Sequence, residues 1–430
     1  MKPGERAGPG PALPLSAGLL ALFFWLLFGD LGLAIRDRAA LPAGLDLLRR
    51  TGTSDTATSL LLSTVPALLS LLLAPLVGYH SDRSRSRFGR RRPFIAVAAP
   101  VGTAAMVGLA LSPWLGEAGH TALGTWSPGL ASCKLILFGL FWTVFECAAI
   151  TAAALFAGLV NDVVPRHLLG RFYGALRVVS LSLGIAFNSW VFALLDTHLY
   201  QILFGVGLLF GVPLLLMCAM VREEVQASDA VVRQHSVLVP RAHVLECFRQ
   251  RRFWWICGAF MLASVTFSPF NTFYLHFAQA SGISKATLGV LTAYGYMASI
   301  ACAFGIGFLV DRFGALRIAA IVMGAYLALA ATAYLLVGGE PSFRLFYVGH
   351  VVVSGAYFTA AASLPMALFP QAQFVQYNST KDLMTACATI LVSAVQGPLL
   401  DLSGHDYRLT LLSATIFSFL CLVCMHKVSK

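Results

Sequence analysis

Hydrophobic residues in this chain gather into long unbroken blocks. Bounded by charges, prolines or glycines, these blocks run near 15–35, 59–79, 94–112, 134–160, 172–195 and 200–220. After a polar interval, six more run near 253–276, 286–310, 317–338, 343–367, 383–402 and 408–426. Most are about 20 residues long, enough for an α-helix rising about 1.5 Å per residue to cross a hydrocarbon layer of roughly 30 Å. None shows the period-two alternation of a barrel strand. The pattern predicts an all-α membrane protein of twelve transmembrane helices: a six-helix bundle over 1–220, a linker over 221–252 and a second bundle over 253–430. The first block is longer than the core of a secretory leader and no small-residue cleavage site follows it, so it is expected to stay as the first span.

Composition agrees with that reading. Of 430 residues, 58% are hydrophobic and only 11% charged, which leaves too little polar surface to cover a soluble globule. Nine cysteines show neither metal-ligand spacing nor an extracellular disulfide framework, and are expected to be small buried hydrophobes.

The net charge of +11 matters through its placement. Between the second and third blocks, Gly78 to Phe94 reads GYHSDRSRSRFGRRRPF and holds Arg83, Arg85, Arg87, Arg90, Arg91 and Arg92. Alternate connections repeat the bias: Arg166 and Arg171, then Arg222 through Arg252, then Arg312 and Arg317. By the positive-inside rule that face is cytoplasmic, with both termini on it, as expected of a multi-pass protein of the plasma or inner membrane. The connection after the first block breaks the bias, because Arg36, Arg38, Arg49 and Arg50 fall on the expected outer side.

The arginine-rich loop has an echo. Gly78, Asp82 and Arg83 with Gly89, Arg90 and Arg91 follow the second block; Gly307, Asp311 and Arg312 with Gly314 follow the eighth, 229 residues later. Two copies at matching places imply two homologous six-span halves. The loop from Gly78 to Arg91 resembles the best-known signature of the major facilitator superfamily, whose transporters are built from such parallel repeats. The fuller stretch SDRSRSRFGRRRPFI resembles more narrowly the plant sucrose transporters and the glycoside-pentoside-hexuronide cation symporters. The fourth block, ECAAITAAALFAGLVND, is similar to the sucrose transporters in its two acids, Glu146 and Asp162, and departs from them in having Ala157 near the place of a basic residue. The resemblance implies that Asp82 meets the N-terminus of the eleventh span and that Arg83 or Arg91 pairs with Asp162, latching the cytoplasmic gate.

Ionisable side chains at mid-span cost roughly 2.5–3.5 kcal/mol on insertion scales and are functional candidates by default. The blocks hold few: Asp30 in the first and Glu146 in the fourth. Counted along the helix from the arginine-rich side, Asp30, Glu146, Asn188, Asn271 and His350 all lie about 22–27 Å deep. Five polar groups at one level predict a site between the halves. Glu146 and Asp30 are the candidate coupling carboxylates, although Asp30 is also placed to pair with Arg36. Trp142, one turn from Glu146, is a candidate stacking plate for a sugar, with packing as its other reading. Arg177 shares a helical face with Ser180 and Asn188, and either lines the cavity or snorkels to the surface.

The function these features imply is symport of a sugar or glycoside by alternating access, coupled to a proton or to sodium, in a monomer embedded in lipid. A non-transporting pigment-complex assembly factor of the same fold and an efflux transporter of amphipathic compounds are the alternatives. No nucleophile–base constellation, metal motif or phosphate loop suggests an enzyme or a cofactor, and a basic run flanked by membrane spans is not a nucleic-acid patch.

Overall fold

A computed structural model describes residues 17–84, 86, 88–165, 168–222, 251–369 and 374–429. Among these residues, twelve long helices carry the chain: α1 (Ala17–Ile35), α2 (Val65–Arg83), α3 (Arg92–Leu123), α4 (Leu130–Val163), α5 (Leu169–Ala186), α6 (Leu195–Met220), α7 (Arg251–Ala280), α8 (Lys285–Phe313), α9 (Ala315–Leu336), α10 (Glu340–Ala361), α11 (Phe374–Leu402) and α12 (Leu409–Ser429). Length and apolarity alone separate eleven membrane-competent stretches, because 172–220 forms one helical run of 49 residues. Drawn straight, that run would reach about 73 Å, more than twice a hydrocarbon layer. It folds back instead. The π-helical turn Phe187–Val191 and the 3₁₀ turn Phe192–Leu194 break α5 from α6, and both outer ends of the pair return to the arginine-rich side. There Arg92 donates to the carbonyl of Cys218 on α6, and Arg90 bonds Asp162 just ahead of α5.

The helices form two pseudo-symmetric bundles. In the first, α3 packs on α4 and α6, and α1 packs on α6 and α5; in the second, α7 packs on α12 and α11, and α10 packs on α8 and α9. Small residues permit these approaches: a Cβ at Gly32 would lie 2.7 Å from the Phe210 carbonyl. Both halves use the same turn chemistry. Gly89, before α3, and Gly314, before α9, adopt φ of +98° and +88°, a region glycine enters without Cβ strain. Of the cysteines, Cys133, Cys218, Cys257, Cys421 and Cys424 are buried as expected, whereas Cys302 and Cys387 are exposed on helices.

The largest departure from the sequence reading follows α1. Past Ile35 the chain runs into a π-helical turn, Arg36–Ala40, and then into a helix, Leu41–Arg50, where an outward loop was expected. Ala39, Ala40 and Leu45 to Leu48 are buried, so this segment belongs to the first bundle's core.

Candidate functional site

The candidate site begins at the π-helical turn after α1. A π turn accommodates one residue more than an α turn, which redirects the side chains that follow. Arg36 is thereby turned onto α4: its Nε donates to Glu146 Oε2 at 3.0 Å and its Nη2 to the same oxygen at 2.6 Å. Its Nη1 donates to Asp37 at 2.8 Å. The Glu146 side chain is 2% exposed and Arg36 30%, so this is a nearly enclosed, multiply hydrogen-bonded pair. A basic residue thus reaches the α4 acid from the extension of α1 rather than from α4 itself.

Asp30 lies on α1 before that turn, half-buried. Pairing with Arg36 does not occur, because the guanidinium is committed to Glu146 and Asp37, and Asp30 has no hydrogen-bond or ion-pair partner among the described residues. It opens onto a cavity of about 310 Å³ whose wall also includes Arg36 and Asp37 of the π-helical turn, Phe156 of α4, and Tyr173 and Ser180 of α5. Across the cavity's edge, Arg38 donates to Ser180 at 3.2 Å and stacks over Tyr296 of α8, 4.8 Å from the ring centroid. Arg177 reaches the other half by donating to Thr359 of α10 at 3.3 Å. Arg36, Arg38 and Tyr296 were not assigned to the site from sequence; the signal was the apparent breach of charge asymmetry after the first span.

Two expected contacts lie elsewhere. Trp142 is fully buried and stacks on Phe138 at 5.9 Å, beside Phe145. The helix Leu41–Arg50 covers it so closely that a Cβ at Gly44 would lie 2.6 Å from its ring. It is a packing residue of the first bundle, not a plate beside the cavity. Asn188 is also buried: its amide donates to the Gly184 carbonyl at 2.8 Å, and its own carbonyl is packed against Gly289 of α8.

In the second half the polar residues meet one another. His350 on α10 bonds Tyr326 of α9 through Nδ1 at 2.9 Å and Asn271 of α7 through Nε2 at 3.0 Å. His350 is buried among Phe267, Phe270 and Phe346, whereas Asn271 is exposed. The neighbour of Asn271, Thr272, bonds Ser63 of the first half at 2.8 Å, which places this end of the network at the junction of the halves.

The end of the molecule opposite the arginine-rich loop is closed by two seams. In one, Asp401 of α11 accepts from the backbone N–H groups of Asp55 and Thr56, each at 2.9 Å, so it satisfies the N-terminus of the helix leading into α2. Asp55 in turn engages His405 Nδ1 at 2.7 Å and the Tyr407 hydroxyl at 3.3 Å. In the other, Lys285 at the start of α8 bonds Asp46 at 2.5 Å and Asp196 at 2.6 Å. Asp55, Asp401 and His405 bring one potential metal-ligand atom each within 4.8 Å of one another. Their atoms already serve as partners in the seam, so the trio is complete as a hydrogen-bond network.

At the arginine-rich end, Arg90 hydrogen-bonds Asp162 at 2.8 Å, and Arg91 forms an ion pair with it at 3.0 Å. Gly158 leaves the groove through which Arg91 passes. The side chains of Asp82 and Arg83, and the chain just before α11, lie outside the described residues. Asp311 and Arg312 are exposed, with Arg312 stacked on Phe313 at 5.3 Å; Gly78 and Gly307 have open space where a Cβ would stand.

Against known proteins, the profile of a family described as MFS/sugar transport protein matches residues 47–382. Among solved structures, a mutant of the nucleoside transporter NupG superposes with a TM-score of 0.73 at 16% identity, covering 95% of this chain and 100% of that one. A bacterial homologue of the iron transporter ferroportin, in an inward-facing state, gives 0.67 at 17% identity over 96% and 99%. A D-xylose-proton symporter gives 0.62 at 15% identity over 94% and 97%. At these identities the likeness is one of fold.

Proposed function

Given that the chain belongs to the MFS/sugar transport protein family, and is on that ground a membrane transporter rather than an enzyme, we propose that it moves a sugar or glycoside together with a proton by alternating access. The observation that carries this reading is the cavity beside the π-helical turn, onto which Asp30 opens and whose wall includes Arg36, the partner of the Glu146 carboxylate behind it. Glu146 is held by hydrogen bonds from Arg36, whereas Asp30 faces the cavity and makes no hydrogen bond or ion pair among the described residues. A carboxylate without a counter-charge in a partly dry site exchanges a proton more readily than one locked to a guanidinium. Asp30 is thus the coupling group, and the Arg36–Glu146 pair is a fixed dipole that orients hydroxyl groups of the substrate. The Ser180 hydroxyl suits a polyhydroxylated ligand, and the aromatic walls of Phe156 and Tyr173 suit its C–H faces. The D-xylose-proton symporter among the fold neighbours carries out that class of transport.

In this reading the arginine-rich end faces the cytoplasm, the two seams close the outer side, and the conformation is the inward-facing one. The test is uptake of radiolabelled sucrose, D-glucose and D-xylose into proteoliposomes under an imposed pH gradient or an imposed sodium gradient. Accumulation driven by the pH gradient is expected, and Asp30→Asn should abolish accumulation while keeping exchange of the same sugar. Accumulation by Asp30→Asn equal to that of the parent protein removes Asp30 from coupling. Accumulation under sodium alone overturns the proton.

A further inference from the structure

The Tyr326–His350–Asn271 chain has a direction that its chemistry fixes. The amide oxygen of Asn271 can only accept, so the His350 nitrogen 3.0 Å away, Nε2, must carry a proton. His350 is buried among Phe267, Phe270 and Phe346 with no acidic side chain in contact among the described residues, and a cation there would be unpaired. The ring is therefore neutral, with its lone pair on Nδ1, and Nδ1 accepts the hydroxyl proton of Tyr326 at 2.9 Å. Each bond determines the next: Tyr326 donates to His350, which donates to the oxygen of Asn271. The oxygen of that amide is thus turned toward His350, and the NH₂ group, on the opposite branch of the planar amide, is the part left to the exposed side, next to the Ser63–Thr272 contact between the halves.

We propose that Tyr326, acting through His350, is a positioning residue that presents the Asn271 amide to the central space as a hydrogen-bond donor, so that the transported molecule is recognised there through an acceptor oxygen. This rests on the transport reading above for its ligand and on the hydrogen-bond chain alone for its polarity, and the two are tested separately. The polarity is read in full-length protein carrying ¹⁵N-labelled histidine in lipid nanodiscs, with the His350 signals identified by their loss in His350→Gln. A neutral ring protonated at Nε2 near pH 7 is the expected result; protonation at Nδ1, or at both nitrogens, overturns the proposal. In Tyr326→Phe, where the donor to Nδ1 is gone, the fraction protonated at Nε2 should fall; a purely packing role for Tyr326 would leave it unchanged.

The ligand side is read in proteoliposomes as inhibition of D-glucose uptake by each monodeoxyglucose. One of these analogues should inhibit about three- to tenfold more weakly than its siblings, the loss expected for one hydrogen bond. Asn271→Ala should erase that difference. Discrimination that persists unchanged in Asn271→Ala removes Asn271 from recognition. Failure of the protein to take up any sugar would overturn the transport reading and leave the histidine spectrum to decide the relay.

Discussion

At the scale of single residues the Arg36–Glu146 pair has the sharpest energetic consequence. Replacing two buried partners together by neutral isosteres often costs little, but removing one strands the other in a medium that solvates it poorly. Arg36→Gln leaves the Glu146 carboxylate, 2% exposed, without its counter-charge, and is expected to destabilise the protein by about 3–5 kcal/mol. Glu146→Gln should cost less, because Asp37 still holds Arg36. The double variant should recover most of the loss from Arg36→Gln. Thermal unfolding of the three purified proteins in one detergent measures this cycle; additive losses in the double variant would show that the pair is not coupled. The sequence marked Glu146 as an acid inside an apolar block, and the structure buries it. The sequence did not reveal Arg36 as the partner, because a π turn has no compositional signature and Arg36 lies just past the apolar block. Rotation about the helix axis was equally hidden. Trp142 does share a face with Glu146, as spacing requires, but the Leu41–Arg50 helix covers that face one turn further out.

Two elements, α11 and α8, form the closed seams, and each approaches the other half through a glycine. A Cβ at Gly397 would stand 2.7 Å from the Thr56 Cα and 2.8 Å from the Asp55 carbonyl, both backbone atoms that cannot swing aside. Gly397→Leu should therefore block closure of this end while sparing each bundle. The expected readout is faster maleimide labelling of a cysteine placed at the seam, with loss of uptake; a labelling rate equal to that of the parent would mean the approach is not required. The same seam senses pH through His405, which the hydrogen bond to Asp55 pushes above the ordinary histidine value of 6.5. Asp55, Asp401 and Tyr407 face it, and Arg49 and His276 lie nearby. With a raised pKa in the closed form, the stabilisation is full below about 6.5 and is lost as pH rises through the raised value. Labelling at the seam should thus quicken as pH rises above about 6.5, and His405→Gln should flatten that dependence. His405 also has a positive φ of 65°, uncommon outside glycine, and this backbone carries its ring to Asp55.

Across the whole molecule the two seams are versions of one device, which ties the repeat read from the arginine loops to the closed end. Ser54 and Ser284 each cap a helix start by accepting from the N–H three residues on. Their separation, 230 residues, nearly equals the 229 between Gly78 and Gly307. The residue after each cap grips the other half: Asp55 holds His405 and Tyr407 between α11 and α12, and Lys285 holds Asp196 at the start of α6. The wiring is pseudo-symmetric with the charge reversed. The sequence exposed the symmetry of the arginine-rich loops because glycine and charge mark turns, but not this pairing, which depends on helices distant in the chain.

Lys285 is the cleaner place to test the device. Its removal does not strand Asp46, which Arg50 also holds at 3.1 Å. Lys285→Ala should therefore leave folding largely intact and shift the population toward the state open at this end, by about tenfold for each 1.4 kcal/mol that the seam contributes. Spin-label distances measured across the seam should lengthen. Asp162→Asn is the matched control at the other end: its partners Arg90 and Arg91 belong to its own half and are partly exposed, so the loss should be about 1 kcal/mol or less. The same distances should then stay unchanged. If Asp162→Asn moved them as far as Lys285→Ala does, the arginine loop would be a gate between the halves rather than a tie within one.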